Sequence, residues 1–172
     1  EKKRLLIDTG AASTRLTNED CSPNTVHYVY DTYALANGPV SVMIKQGNDT
    51  WYFLTADYAF GHSLEKDATD VIKANGGKIL GGVRHPLNAS DFSSFLLQAQ
   101  SSKAKVVALA NAGGDTINSI KAANEFGLTK NQTIVGLLTT IIDIHALGLP
   151  TTQGMMFTEG FYWNLNNETR EW

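Results

Sequence analysis

Short unbroken apolar runs alternate along most of this chain with stretches whose apolar residues recur at helical spacing. The most telling run is residues 51–61, WYFLTADYAFG, which ends abruptly at Asp57 and is followed at once by aromatics and a glycine. An apolar run without alternation reads as a strand buried on both faces. A strand that opens into such a turn before a helix marks the ligand end of an open α/β sheet. Residues 78–83 (KILGGV), 105–110 (KVVALA), 133–138 (TIVGLL) and 155–159 (MMFTE) are further runs. The first four runs begin at residues 51, 78, 105 and 133, about one βα unit of roughly 30 residues apart. This rhythm predicts an α/β three-layer sandwich in the order βαβαβαβαβ, with helices on both faces of a parallel sheet ordered 2-1-3-4-5.

The intervening helices are readable from their stripes. Leu64, Ala68, Val71 and Ile72 fall at i, i+4, i+7 and i+8, and Asn75-Gly76-Gly77 closes that stripe. Asp91 is placed to cap a helix whose Phe92, Phe95, Leu96 and Ala99 share a face. A third helix opens at Gly114 or Asp115, turns Ile117, Ile120 and Ala123 inward and ends at Gly127. A weaker fourth lies around residues 143–146, before Pro150. The first thirty residues stand outside this repeat. Residues 4–9 (RLLIDT) are strand-like, a polar loop covers residues 10–21, and residues 26–30 form a second short strand leading to Asp31. Gly38-Pro39 supplies a cap-like residue and a proline suited to a first helical position, which predicts a helix over 39–46 that stops at Gly47.

Composition narrows the function. With 172 residues, 42% of them hydrophobic, the chain has enough to bury one good core, and its charge is too balanced for disorder. Net charge is −3 and the lysines and arginines are scattered singly, so no basic stripe exists to follow a phosphate backbone, which excludes nucleic acid as a partner. No apolar stretch reaches the roughly 18 residues of a membrane span, which argues against direct membrane insertion. The single Cys21 cannot form an intrachain disulfide and reads as a free buried thiol. Glu1 in place of a methionine, and an ending inside the charged stretch NNETREW, read as the edges of a part of a larger protein.

Enzyme signatures are missing. The chain has no G-x-x-x-x-G-K-S/T loop, no G-x-S-x-G elbow and no G-x-G-x-x-G after a strand. Ala112-Gly113-Gly114-Asp115 opens a helix, and its N–H groups are placed either to hold an anion or simply to turn the chain off Asn111. His27, His62, His85 and His145 show no metal-ligand spacing, so no metal site is expected. Asp8 and Asp57 each end a strand, yet the acidic cluster and the late lysine of a phosphoacceptor domain are absent. The four N-x-T/S triplets, at Asn48, Asn88, Asn131 and Asn167, read as turns.

Several segments together carry a resemblance: Gly10-Ala11 in a loop after a strand, the Gly38-Pro39 helix start, TADYAFG, a helix ending in ANGGKILG, SDFSSFLLQAQSSKAKVVALANAGGD, and QGMMFTEGFYW. The chain resembles the type I periplasmic solute-binding proteins, in particular the leucine/isoleucine/valine-binding group of ABC transporters. The likeness runs over essentially the whole chain in the right order. It implies two α/β lobes that close on a small ligand about a hinge of crossing strands. Residues 1–30 then correspond to the end of the first lobe with its ligand loop, residues 31–38 to a hinge crossing and residues 39–172 to an incomplete second lobe. The resemblance further implies a periplasmic or extracellular location behind an upstream signal peptide, an ABC permease as partner, no cofactor and no catalysis.

It also implies a site. In amino-acid-binding members a loop S-x-G-A-T offers backbone N–H groups and a threonine hydroxyl to the ligand carboxylate. Thr9, Gly10, Ala11 and Ala12 stand at the matching positions, so the hydroxyl is missing there, with Ser13 and Thr14 just beyond. Phe60 matches the aromatic that packs on the ligand after the first strand of the second lobe, and Tyr58 stands beside it. A second aromatic is replaced within residues 111–114, which makes Asn111 a candidate. The glutamate that holds the ligand's ammonium falls near Leu138, where no carboxylate stands. The implied ligand site is therefore Ala11, Ala12, Ser13, Tyr58, Phe60, Asn111 and Leu138. An ammonium desolvated there without a partner is strongly disfavoured, so the expected ligand is an aromatic or branched carboxylate lacking an α-amino group. Asp57 reads as a turn-former and His85 as structural. Two other readings stay open: a branched-chain amino acid receptor, and a flavodoxin-like or receiver domain of a cytoplasmic enzyme or sensor with the same sheet order.

Overall fold

The computed structural model describes residues 4–172, so the first three residues of the 1–30 segment lie outside the described residues. In chain order the elements are β1 (Leu6–Asp8), β2 (Thr25–His27), α1 (Thr32–Lys45), β3 (Thr50–Ala56), α2 (Ala59–Ala74), β4 (Lys78–His85), α3 (Ser93–Ser102), β5 (Val106–Ala110), α4 (Gly114–Glu125), β6 (Thr133–Gly136), α5 (Ile141–Leu147), α6 (Leu149–Thr152) and α7 (Asn167–Glu171). Single 3-10 turns lie at Thr14–Thr17 and Leu128–Lys130.

Every residue of β3 after Thr50 is buried. The two-residue period of a strand sends Trp51 and Phe53 to one face of the sheet and Tyr52 and Leu54 to the other. β5 divides in the same way, with Val106, Ala108 and Ala110 against Val107 and Leu109. Leu35, Ala36, Val40 and Met43 of α1 and Leu64, Ala68, Val71 and Ile72 of α2 cover the first face. Phe92, Leu96 and Ala99 in and beside α3, with Ile120 and Ala123 of α4, cover the second. Three layers follow from this division. The sheet runs β4-β3-β5-β6 with all neighbours parallel, the first four places of the expected 2-1-3-4-5.

The fifth expected strand, residues 155–159, does not form. Met156 makes one parallel bridge to Val135 and no ladder. Beyond that bridge the Glu159 side chain is tied to the start of α5, its carboxylate accepting a hydrogen bond from the Ile141 N–H at 2.6 Å.

The N-terminal part departs further from the sequence reading. α1 begins at Thr32, where a helix was expected only from Pro39. Asp31 caps it, its side chain accepting from the Ala34 N–H at 2.7 Å. Pro39 sits inside the helix, a placement that costs about 3 kcal/mol in local terms. The buried stripe of Leu35, Ala36, Val40 and Met43 continues past it, and packing outweighs the penalty. Residues 31–38, read as a hinge crossing, are thus the cap and first turns of α1. Gly38 marks a close approach, since a Cβ there would stand 2.6 Å from the Thr158 hydroxyl oxygen.

β1 and β2 form a separate parallel pair, shorter than the expected strands at 4–9 and 26–30, with Leu6 opposite Thr25 and Asp8 opposite His27. Leu5, Leu6, Ile7 and Val26 are exposed. Cys21 is exposed as well, which corrects the expected buried thiol: it lies in a surface turn, its N–H donating to the Asn18 carbonyl at 3.2 Å. No helix among the described residues is long and apolar enough to cross a membrane.

Truncating Leu54, wholly buried on the α3 side of β3, should lower stability by about 2–5 kcal/mol. Leu97→Ala, at an exposed position of α3, should change it by about 0.5 kcal/mol or less. Urea unfolding of both variants provides the comparison, and a Leu54→Ala midpoint equal to wild type would contradict a core on both faces.

Candidate functional site

The chain leaves the sheet at the C-terminal ends of β3 and β5, where an open parallel sheet keeps its ligands. Two backbone bonds shape the turn after β3: the Asp57 N–H donates to the His85 carbonyl at 2.9 Å, and the Tyr58 N–H to the Ala56 carbonyl at 2.8 Å. Gly61 seats the first turn of α2 so closely on the strand ends that any Cβ there would collide with the Ala56 carbonyl oxygen. Tyr58 and Phe60 emerge from this turn with ring centroids 5.8 Å apart. Burial, and after it the charge of Asp115, raises the Tyr58 phenol above its ordinary range. Its hydroxyl is therefore a proton donor at neutral pH.

Asp8 builds the opposite wall. Its Oδ1 accepts from the N–H groups of Gly10 at 3.0 Å and Ala11 at 2.9 Å, an Asx-type turn. These bonds hold the Asp8 carboxyl below its ordinary range. Ala12 is buried, and its carbonyl accepts from the Thr32 N–H at 2.8 Å. The Ser13 hydroxyl pairs with that of Ser63 on α2 at 2.8 Å. Asp67, one turn further along α2, accepts on Oδ2 from the Thr14 hydroxyl at 3.1 Å and the Thr32 hydroxyl at 2.6 Å.

Between the walls lies a cleft of about 630 Å³, lined by Ala11, Ala12, Ser13, Tyr58, Phe60 and Leu138 among others. Six of the seven expected site residues therefore meet in one place. Asn111 does not join them. It is fully buried, its Nδ2 donating to the Ser119 hydroxyl and to His85 Nε2, each at 3.1 Å, while its Oδ1 accepts from the Thr116 hydroxyl at 2.8 Å. These partners turn the amide inward under α4, and Ala112 stands in the cleft wall instead. His85 is structural as expected: Nδ1 donates to the Pro86 carbonyl at 2.8 Å, and the ring packs edge-on to Phe92 with centroids 4.9 Å apart.

Arg15, Leu16 and Asp20 also line the cleft and escaped the sequence reading. A polar loop carries no periodicity to place its side chains, and only the adjacency of Arg15 to Ser13 hinted at them. Arg15 Nε lies 2.8 Å from Asp20 Oδ2. A second, apolar hollow of about 680 Å³ lies against α5, Phe157 and Tyr162 and shares no lining residue with the cleft. Among the described residues no three His, Cys, Asp or Glu side chains gather as a metal ion would need.

Asn111→Ala would leave the buried partners of the amide unsatisfied and should cost about 1–3 kcal/mol in urea unfolding. An unchanged midpoint would remove Asn111 from the interior network. Asp8 supplies a pH test. Its folded pKa lies below the ordinary 3.8, so its support of the loop is complete above that value and is lost as pH falls through the lowered one. The Gly10 and Ala11 amide proton shifts should move together below 3.8, and a transition centred above it would refute the pairing.

A family model described as periplasmic binding protein matches residues 1–172. None of the curated proteins compared matches the chain. A solved periplasmic binding protein from Burkholderia mallei is 63% identical with a TM-score of 0.95, covering 99% of this chain and 46% of its own. A branched chain amino acid ABC transporter periplasmic ligand-binding protein from Burkholderia xenovorans is 33% identical with a TM-score of 0.87, over 99% and 46% of the two chains. An ABC transporter solute binding protein from Rhodopseudomonas palustris, in complex with 3,4-dihydroxybenzoic acid, shares the fold at 21% identity and a TM-score of 0.84, over 98% and 47%. The chain spans about half the length of these structures. With the sheet order, the strand-end cleft and the match over its whole length, the chain belongs to the periplasmic binding protein family.

Proposed function

We propose that this chain forms part of the ligand site of a periplasmic solute receptor that delivers a small carboxylate without an α-amino group, aromatic or branched, to an ABC permease. The observation that carries this reading is Leu138 in the cleft wall. An amino acid brings an ammonium that needs a carboxylate once it is desolvated. The one carboxylate lining the cleft, Asp20, already holds Arg15 at 2.8 Å. Donors for an anion are at hand. Asp8 takes the Gly10 and Ala11 N–H groups and Thr32 takes that of Thr14, which leaves the N–H groups of Ala12 and Ser13 and the Tyr58 hydroxyl. Phe60 and Leu138 supply the apolar surface.

The receptor works by closing two lobes. Residues 4–27 belong to the first lobe and residues from α1 onward to the second, with the chain crossing at residues 28–31. The acid bound by the Rhodopseudomonas palustris protein supports the carboxylate reading. The name of the Burkholderia xenovorans protein supports a second one, an amino acid receptor, in which Asp20 leaves Arg15 to meet the ammonium.

Calorimetry on a protein carrying both lobes tests this directly. Benzoate-type acids should bind at micromolar dissociation constants, about −8 kcal/mol, with leucine at least tenfold weaker. Phe60→Ala should weaken the acid by up to about 2 kcal/mol with the fold intact. Micromolar leucine binding with no response to aromatic acids would overturn the ligand class, and an unaffected Phe60→Ala would take that residue out of the site.

A further inference from the structure

We propose that Asp67 is a positioning residue, a polar latch that holds the ligand loop against α2 and so favours the closed cleft without touching the ligand. The inference rests on the two-lobe reading above. Asp67 does not line the cleft, yet a single carboxylate oxygen collects two hydroxyls from two different segments, Thr14 of the ligand loop and Thr32 at the start of α1. The Thr14 N–H closes the cluster by donating to Thr32 Oγ1 at 3.2 Å. One turn nearer the sheet, Ser63 holds Ser13. Ser63 and Asp67 stand at i and i+4, on one face of the helix that carries Phe60 in its first turn.

That arrangement couples the two walls of the cleft. The aromatic wall is fixed to α2 by the seating of Gly61 on the strand ends, and the loop wall reaches α2 through these hydroxyls. The loop's apolar anchor is small, since Ala12 is its one member in the core. Thr32 is fully buried on α1 and stays with Asp67, while Ser13, Thr14 and Ser63 are half-buried and within reach of water, and no cation is bound to Asp67 among the described residues. A contact of this kind opens without stranding a buried charge, which suits a surface that must part and re-form. Because apparent affinity scales with the fraction of protein in the competent state, weakening the latch lowers affinity through the closed population.

The test uses the two-lobed protein and two readouts. Small-angle scattering without ligand should give a larger radius of gyration for Asp67→Ala than for wild type. Benzoate affinity by calorimetry should fall about tenfold. Asp67→Asn keeps an acceptor oxygen and should recover part of both effects. Thr14→Val removes the loop side of the latch while leaving α2 and the Thr32 contact, so it should reproduce Asp67→Ala even if the latter folds poorly. Wild-type scattering and wild-type benzoate affinity in Thr14→Val would overturn the latch. If wild type binds neither benzoate nor leucine, the receptor reading fails, and the scattering comparison still decides the latch.

Discussion

The burial of β3 on both faces is the constraint from which the rest of the structure follows. Trp51 and Phe53 demand cover on one side, Tyr52 and Leu54 on the other, and a strand with no face to give to water must lie inside a sheet that is itself sandwiched. Parallel neighbours then require crossover helices, which supply that cover. The chain is released from this double burial at Asp57. The aromatic turn is consequently anchored to a strand buried on both faces, and Gly61 transmits that anchoring by letting α2 touch the ends of β3 and β5. The position of the site is a result of core packing before it is a matter of binding chemistry.

This explains what was legible in the sequence. β3, β5 and β6 and the α2 stripe all sit where short-range apolar pattern and tertiary burial ask for the same thing, and the edge strand β4 and the pair Tyr58 and Phe60 follow from their place beside β3. The readings that failed are those where a long-range partner decides. Pro39 looks like a helix start in isolation and becomes an interior residue because the α1 stripe is held against α2 and the sheet. Asn111 looks like a loop polar group and is drawn inside by His85, Thr116 and Ser119, three partners that no local rule assembles. Residues 155–159 have the apolar character of a strand, but only Met156 bridges to β6, and the Glu159 carboxylate is tied to the start of α5, a partner no local pattern shows. Arg15, in a 3-10 turn, and Asp20, just beyond it, reach the cleft from a polar loop where no period exists to be read.

The two walls of the cleft are held by different physics. Apolar packing fixes the aromatic wall, and it is lost only when the core is lost. Hydrogen bonds at Asp8, Ser63 and Asp67 fix the loop wall, and each of these is worth little net of water. The exposed apolar residues of β1 and β2 fit the same division: none of them belongs to either core cluster, so the segment that bears the loop draws little stability from the core. On the two-lobe reading proposed above, a receptor that opens to admit its ligand would gain from this asymmetry, with one wall preformed and the other free to move at small cost.

The chemistry of the cleft follows the same economy of charge. Its cation and its carboxylate, Arg15 and Asp20, neutralise each other at the rim, and the deeper surface is Phe60, Leu138 and Ala12 with backbone and phenol donors. Neutral donors stabilise an anion without themselves needing a counter-charge, whereas an ammonium would need a negative partner that Leu138 does not provide. On the proposed reading, discrimination acts by what is left unpaired: a carboxylic acid would find donors on the loop, whereas an added amine would bring a charge whose desolvation nothing in the described cleft offsets unless Asp20 leaves Arg15.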